Sequence, residues 1–226
     1  MAQAAFSLAR PLTALPPHGP GKPCGLGMLP ALVYFMEAFL VSTGAVALGE
    51  MGDKTQLLAM LLAAKYRRPL PIILGILVAT LANHAAAGAV GEWIAQLVSP
   101  DVIRWVIGGS FIAMAVWMMI PDKVDEEEVS RTPFALGVFG TTVIAFFMAE
   151  MGDKTQIATV ALAARYSEFV AVVAGTTLGM MIANVPAVYL GHKVADRIPM
   201  TLVHGIAALI FAVLGVLTLF NVGGLF

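Results

Sequence analysis

Two short stretches of this sequence hold the residue types that do chemistry. Glu50-Met51-Gly52-Asp53-Lys54-Thr55-Gln56 recurs, residue for residue, as Glu150-Met151-Gly152-Asp153-Lys154-Thr155-Gln156, at an offset of 100. Each copy sits inside a long apolar run, where an ionisable side chain is costly and marks a functional site by default. Residues three apart share a helical face. Glu50 and Asp53 are therefore expected to point one way, as are Glu150 and Asp153. Where the two faces meet, four carboxylates surround one cavity. Their charge of −4, set against +2 from Lys54 and Lys154, leaves −2, which one divalent cation or two protons would neutralise. Crowded carboxylates repel one another when ionised, so protons and metal compete for the same oxygens. Such a site suits exchange, because leaving it charged and empty is costly.

The ligand type narrows the ion. Carboxylate, amide and hydroxyl oxygens suit hard cations such as Mn²⁺, Ca²⁺ and Mg²⁺. One cysteine, Cys24, and no histidine cluster are present. An intrachain disulfide and a cysteine-based zinc site are thereby excluded, and zinc and copper are disfavoured. Thr55, Thr155, Gln56 and Gln156 are candidates for further oxygens or for bonds that orient the acids. Gly52 and Gly152 are candidates for a backbone opening that turns carbonyls toward an ion. An ammonium has no lone pair, so Lys54 and Lys154 are expected to pair with the carboxylates of the empty site, or to point to an interface. The Glu50–Lys54 spacing suits a helical ion pair.

Other polar residues have competing readings. Met51 and Met151 read as packing residues. Asn83 and Asn184 match between halves and suit either helix-gluing hydrogen bonds or ion contact. His84 has no counterpart and reads as a packing or cavity residue, with a proton relay as the sharper alternative. His192 and His204 read as interfacial, and Glu37 as lining an entry path or lying at an interface. Pro186 is expected to kink its helix.

The elements that position these residues follow from composition. Of 226 residues, 59% are hydrophobic and 12% are charged, about half the charged share of a soluble domain. A disordered, fibrous or ordinary soluble chain is excluded. A net charge of −1 lacks the basic stripe that nucleic acid requires. What remains is an all-α polytopic membrane protein. Apolar stretches run over 32–64, 72–94, 102–120, 134–164, 169–190 and 201–220, separated by charges or proline; about 20 apolar residues cross a bilayer. The first and fourth exceed 30 residues and would reach about 50 Å as helix against a core of about 30 Å. Each must tilt strongly, extend out of the bilayer or break, and the glycines and charges at its centre favour a break or kink at the acidic motif.

Residues 1–30 hold six prolines and read as a disordered tail that is a poor secretory signal, with Met28 and Met36 as alternative starts. Residues 31–121 form a first three-helix repeat, 122–133 an acidic cytoplasmic loop, and 134–226 a second repeat. Beyond the motif, Ala63-Ala64-Lys65-Tyr66 echoes Ala163-Ala164-Arg165-Tyr166, and Gly75 echoes Gly175. An odd number of spans per repeat inverts the second copy, the architecture of secondary transporters with a midplane site. The loops after spans one, three and five carry seven basic residues, against two after spans two and four and two in the tail. Positive-inside then puts both termini outside the cytoplasm.

Two copies of Glu-x-Gly-Asp-Lys/Arg-Thr/Ser, one per half, resemble the signature of uncharacterised protein family 0016. That family includes bacterial MneA-type manganese exporters and eukaryotic Golgi calcium/manganese transporters. The match covers residues 31–222, and neither copy departs from the pattern; Ala183-Asn184-Val185-Pro186 adds to the likeness. The resemblance implies a cation/proton antiporter in the bacterial inner membrane that exports Mn²⁺, with Ca²⁺ as the other substrate. It has no cofactor beyond the transported ion. Carried onto this sequence, the cation site is Glu50, Asp53, Glu150 and Asp153, with Gly52, Lys54, Thr55, Gly152, Lys154 and Thr155 around it. Two other classes stay open. A metal-dependent lipid-phosphate hydrolase lacks a Ser/His pair and an arginine cluster to grip phosphate. A cation channel lacks only a reason for acids that titrate.

Overall fold

The structure is a computed structural model that describes residues 28–120, 136–190 and 200–221. Most of the proline-rich tail, the whole acidic loop and His192 lie outside the described residues. Among those described, the chain is all helical, with eight helices: α1 (Met28–Glu50), α2 (Lys54–Tyr66), α3 (Pro69–Leu97), α4 (Pro100–Trp117), α5 (Gly137–Glu150), α6 (Lys154–Tyr166), α7 (Phe169–Leu190) and α8 (Met200–Leu219). The four helices α1, α3, α7 and α8 are long and apolar enough to cross a membrane, while α5 is apolar but shorter. The chain is thus a multi-pass membrane protein. The first and fourth apolar stretches are each divided in two at the acidic motif.

Local chemistry sets the boundaries. Proline opens α3 and α4 at the first turn, where its missing N–H costs nothing. Arg67 and Ser167 end α2 and α6 in the left-handed region, at φ 53° and 51°. Their N–H groups return to the carbonyls of Ala63 and Ala163, at 2.9 and 3.0 Å. The two halves use one stop signal, a left-handed cap.

The outward faces are apolar. On α3, Leu70, Leu74, Leu77, Val78 and Leu81 are exposed, a stripe that belongs against lipid rather than water. Exposed Trp93 and Trp105 flank the α3–α4 turn, as aromatic residues do at a membrane interface.

Small residues let the helices close. A Cβ on Gly175 of α7 would lie 2.5 Å from the Phe39 carbonyl of α1, beside Ser42. A Cβ on Gly75 of α3 would lie 3.0 Å from the Phe139 carbonyl of α5 and 2.7 Å from Thr142 Cβ. These are one crossing made twice, since Phe39, Ser42 and Gly75 each lie 100 residues before Phe139, Thr142 and Gly175. Helices α3 and α7 meet at the centre. Helices α4 and α8 pair through Phe111 and Phe211, whose ring centroids are 6.0 Å apart.

The pseudo-symmetry is incomplete. One apolar core joins α1, α4, α6 and α8 with Ala171 and Val172 of α7. The other joins α2, α3 and α5 with Ala187 and Val188 of α7, and takes nothing from α4 or α8. The α4–α8 pair therefore leans on the α1–α6 side.

Candidate cation site

Both motifs fold into the same break. Helices α1 and α5 end at Glu50 and Glu150, and α2 and α6 restart at Lys54 and Lys154. Gly52 and Gly152 take φ 83° and 75°, a conformation that costs any residue with a Cβ. Asp53 and Asp153 follow in extended conformation, at φ −78°, ψ 167° and φ −80°, ψ 167°. One backbone bond bridges each break: the Asp53 and Asp153 N–H groups donate to the Glu50 and Glu150 carbonyls, both at 3.1 Å. The glutamines hold the turn. Gln56 Oε1 accepts from Gly52 N–H at 2.9 Å, and Gln156 Oε1 from Gly152 N–H at 2.7 Å. Gln56 Nε2 also donates to the Ala183 carbonyl of α7 at 3.0 Å.

These breaks put charge where helices least favour it. A glutamate closes α1 and α5 at the negative end of the dipole, and a lysine opens α2 and α6 at the positive end. The lysines are answered across the halves. Lys54 Nζ lies 3.1 Å from Asp153 Oδ1, and Lys154 Nζ lies 3.5 Å from Asp53 Oδ1. The Glu50–Lys54 helical pair expected from spacing does not form, because the break turns the lysine away. Glu50 and Asp53, like Glu150 and Asp153, do not share a helical face, because each helix is interrupted between them. The break, rather than helical periodicity, positions glutamate and aspartate.

The glutamates meet at the centre. Carboxylate oxygens of Glu50, Glu150 and Asp153 all lie within 4.8 Å of one another, and all three residues are buried. Thr55 Oγ1 donates to Glu50 Oε2 at 2.6 Å, and Thr155 Oγ1 to Glu150 Oε2 at 2.9 Å. The other oxygens, Glu50 Oε1, Glu150 Oε1 and Asp153 Oδ2, are buried without a hydrogen-bond partner. Buried unsatisfied carboxylate oxygens are costly. Three carboxylates that converge and each keep one unpartnered oxygen make a hard, oxygen-only group of the kind that takes a proton or a divalent cation. Asp53 stands outside this group, held by Lys154.

The remaining sequence candidates separate. Asn83 Nδ2 donates to the Phe147 carbonyl at 3.1 Å, one turn before Glu150. Asn184 instead bonds within its own helix, to the Met180 carbonyl at 3.1 Å and to Met180 Sδ at 2.9 Å. His84 is fully buried, with no hydrogen bond to either ring nitrogen. Pro186 lies inside α7. His204, read as interfacial, has Nε2 2.9 Å from the Met51 carbonyl and ties α8 to the first break. Glu37 is exposed and accepts from Tyr166 Oη at 3.5 Å. Arg165, one of the two basic residues counted after spans two and four, is buried and donates to Thr218 Oγ1. Thr218 lies in the apolar run of α8, and nothing beside it in sequence signals this partner.

Known proteins resemble this chain over most of its length. The family model described as divalent cation/proton antiporter GDT1 matches residues 38–126 and 138–224. A Vibrio cholerae protein named "Putative manganese exporter" is 49% identical over 188 residues, covering 83% of this chain and 92% of that protein. A GDT1-like protein of Synechocystis is 28% identical over 206 residues, covering 79% and 96%. A GDT1-like protein of Oryza sativa subsp. indica is 26% identical over 209 residues, covering 82% and 74%. No solved structure matches the chain significantly. The family expected from the duplicated acidic motif is the family found: the chain belongs to the GDT1 divalent cation/proton antiporters.

Proposed function

We propose that this chain exports Mn²⁺ across the bacterial inner membrane in exchange for protons, by alternating access. The observation that carries this reading is the convergence of Glu50, Glu150 and Asp153 from both halves, with their oxygens within 4.8 Å, while each lysine is drawn onto an aspartate of the opposite half. Oxygen-only ligation suits Mn²⁺ and also Ca²⁺. The manganese exporter name of the Vibrio relative favours the former. Asp53 is the fourth ligand of the metal-bound state, freed when Lys154 swings off. Thr55 and Thr155 orient the glutamates, and Gln56 and Gln156 set the turns. Asn83 steadies α5 beside Glu150, and Asn184 offers its carbonyl oxygen to the cavity.

On this reading, α1 with α2 and α5 with α6 are the first and fourth of six spans, arranged as inverted repeats over 31–121 and 134–226. The twin crossings at Gly75 and Gly175 support that arrangement. Both termini face away from the cytoplasm, as loop charges favour. The chain has no enzymatic step.

Purified protein in liposomes, with a metal-sensitive dye inside and an imposed pH step, tests the proposal. Mn²⁺ flux should follow the proton gradient, and Asp153→Asn should abolish it in a folded protein. Mg²⁺, Ca²⁺ and Zn²⁺ tested in turn rank the substrates. Flux that ignores the gradient would make the protein a channel, and phosphate release from a lipid phosphate would make it a hydrolase.

A further inference from the structure

At the end of α6 three helices are drawn together by polar contacts. Arg165, 6% exposed, donates from Nη1 to Thr218 Oγ1 of α8. Its guanidinium carbon lies 5.4 Å from the centre of the Tyr166 ring. Tyr166 Oη donates in turn to Glu37 Oε1 of α1 at 3.5 Å. Eleven residues separate Lys154 from Arg165, about 16 Å of helix, or half the thickness of a bilayer core. The cluster thus sits about 16 Å along α6 from the carboxylate site.

The matching end of the first half is built differently. Lys65 keeps its place over the Tyr66 ring, at 5.3 Å, but is exposed. The position matching Thr218 is Met118 and the position matching Glu37 is Gly137, so neither the hydroxyl nor the carboxylate is repeated. The lysines at the site follow the same bias: Lys54 is 29% exposed and Lys154 4%. So do the two apolar cores, since α4 and α8 close over α6 and leave α2 outside them. An inverted repeat that moves between two states would interchange these environments. Met118 and Gly137, among the described residues, cannot repeat at the α2 end the bonds that Thr218 and Glu37 make at the α6 end.

We propose that Glu37, Tyr166, Arg165 and Thr218 form a latch that seals one end of the ion path, at the end of α6, and that Arg165 is its positioning residue. The latch rests on the transporter reading and deepens it: the state with the α6 end closed and the Lys54 side open is the one the side chains favour. Releasing Thr218 and Glu37 lets the α4–α8 pair shift toward α2 and α5. Because Met118 and Gly137 cannot repeat these two bonds at the opposite end, the two states are unequal in energy, and the cost of opening the α6 end falls on one step of the cycle.

Accessibility of an introduced thiol tests this without any metal. In a Cys24→Ser background, Thr159→Cys places a thiol between Thr155 and Arg165, at a position that is fully buried. Ala59→Cys, equally buried, is its counterpart on α2. Labelling by a water-soluble maleimide is followed in lipid nanodiscs, where both faces are reachable. Thr218→Val and Arg165→Ala should each raise Thr159→Cys labelling about tenfold, the scale of one lost hydrogen bond to a charged group. Labelling of Ala59→Cys should not rise, and Thr218→Ser should restore protection. Thr218→Val is nearly isosteric and keeps the test valid if Arg165→Ala fails to fold. Unchanged Thr159→Cys labelling in Thr218→Val would overturn the latch, and so would an equal rise at both thiols. Labelling needs no transport, so the latch can fail while Mn²⁺/proton exchange stands, and the reverse.

Discussion

Replacing Glu50 with glutamine removes one negative charge and almost no volume. The side chain is fully buried, and Thr55 can still donate to the amide oxygen as it does to Oε2 at 2.6 Å. The fold is therefore expected to survive. The ion is not. A divalent ion is attracted to one carboxylate about 4 Å away by about 8 kcal/mol at an effective dielectric of about 20, and an ion among oxygens that lie within 4.8 Å of one another is no farther than that from Glu50. The amide dipole returns part of that loss, and part of the desolvation cost of the carboxylate disappears with the charge. A net loss of about 3 kcal/mol remains, roughly a hundredfold in Kd at 1.4 kcal/mol per decade. Calorimetric titration of purified protein with Mn²⁺ reads this directly, and liposome flux reads its consequence. Glu50→Gln should bind Mn²⁺ about a hundredfold more weakly and show no flux at micromolar metal. Lowering the pH should weaken Mn²⁺ binding to the parent, because carboxylates must shed protons to ligate, and should do so less steeply in the variant. Parental affinity and flux in a folded Glu50→Gln protein would refute the placement of the ion among these three carboxylates.

Three further outcomes follow from the same geometry. Gly152→Ala forces a Cβ into φ 75° and should cost about 1–2 kcal/mol, visible as a lower melting temperature, although the space around the position is open. Gly91→Ala would bring a Cβ to 2.3 Å from the Val160 carbonyl of α6 and should destabilise by about 1–3 kcal/mol, whereas Gly44→Ala, with nothing within 4 Å, should be tolerated; equal melting temperatures would contradict the packing. Lys154→Met removes the buried partner of Asp53 and should cost about 3–5 kcal/mol, read as loss of monodisperse protein on size exclusion. Lys54→Met, where the ammonium is partly exposed, should be milder.

The sequence made the centre of this molecule readable because charge is so rare in it. Against a background that is 59% hydrophobic, seven identical residues repeated at an offset of 100 stand out without structural help. Length requires the first and fourth apolar stretches to tilt, extend or break, and the glycines and charges at their centres point to the break that the structure shows. What periodicity could not give was the route of the chain through Gly52 and Gly152. That route sends Lys54 to Asp153 rather than to Glu50, and only the positive φ angles reveal it. The glutamines read from sequence either as further oxygens or as orienting bonds, and the structure shows Oε1 of each accepting from the glycine N–H of its own turn. Asn83 and Asn184 looked equivalent and are not, because α7 offers Asn184 a carbonyl in its own helix. The Arg165–Thr218 contact joins residues 53 apart in sequence, and nothing local to either predicts it.

The crossed lysine–aspartate pairs also bear on how the protein is made. Each half supplies the countercharge that the other requires, so neither half is electrically complete when inserted alone. During synthesis, Asp53 and Lys54 emerge about 100 residues ahead of their partners, a wait of roughly 5–20 s at ordinary elongation rates. Over that interval the first three helices must hold their charged break at the mouth of the insertion machinery or against water. Final burial is then a late event, set by arrival of the second copy rather than by the folding of the first.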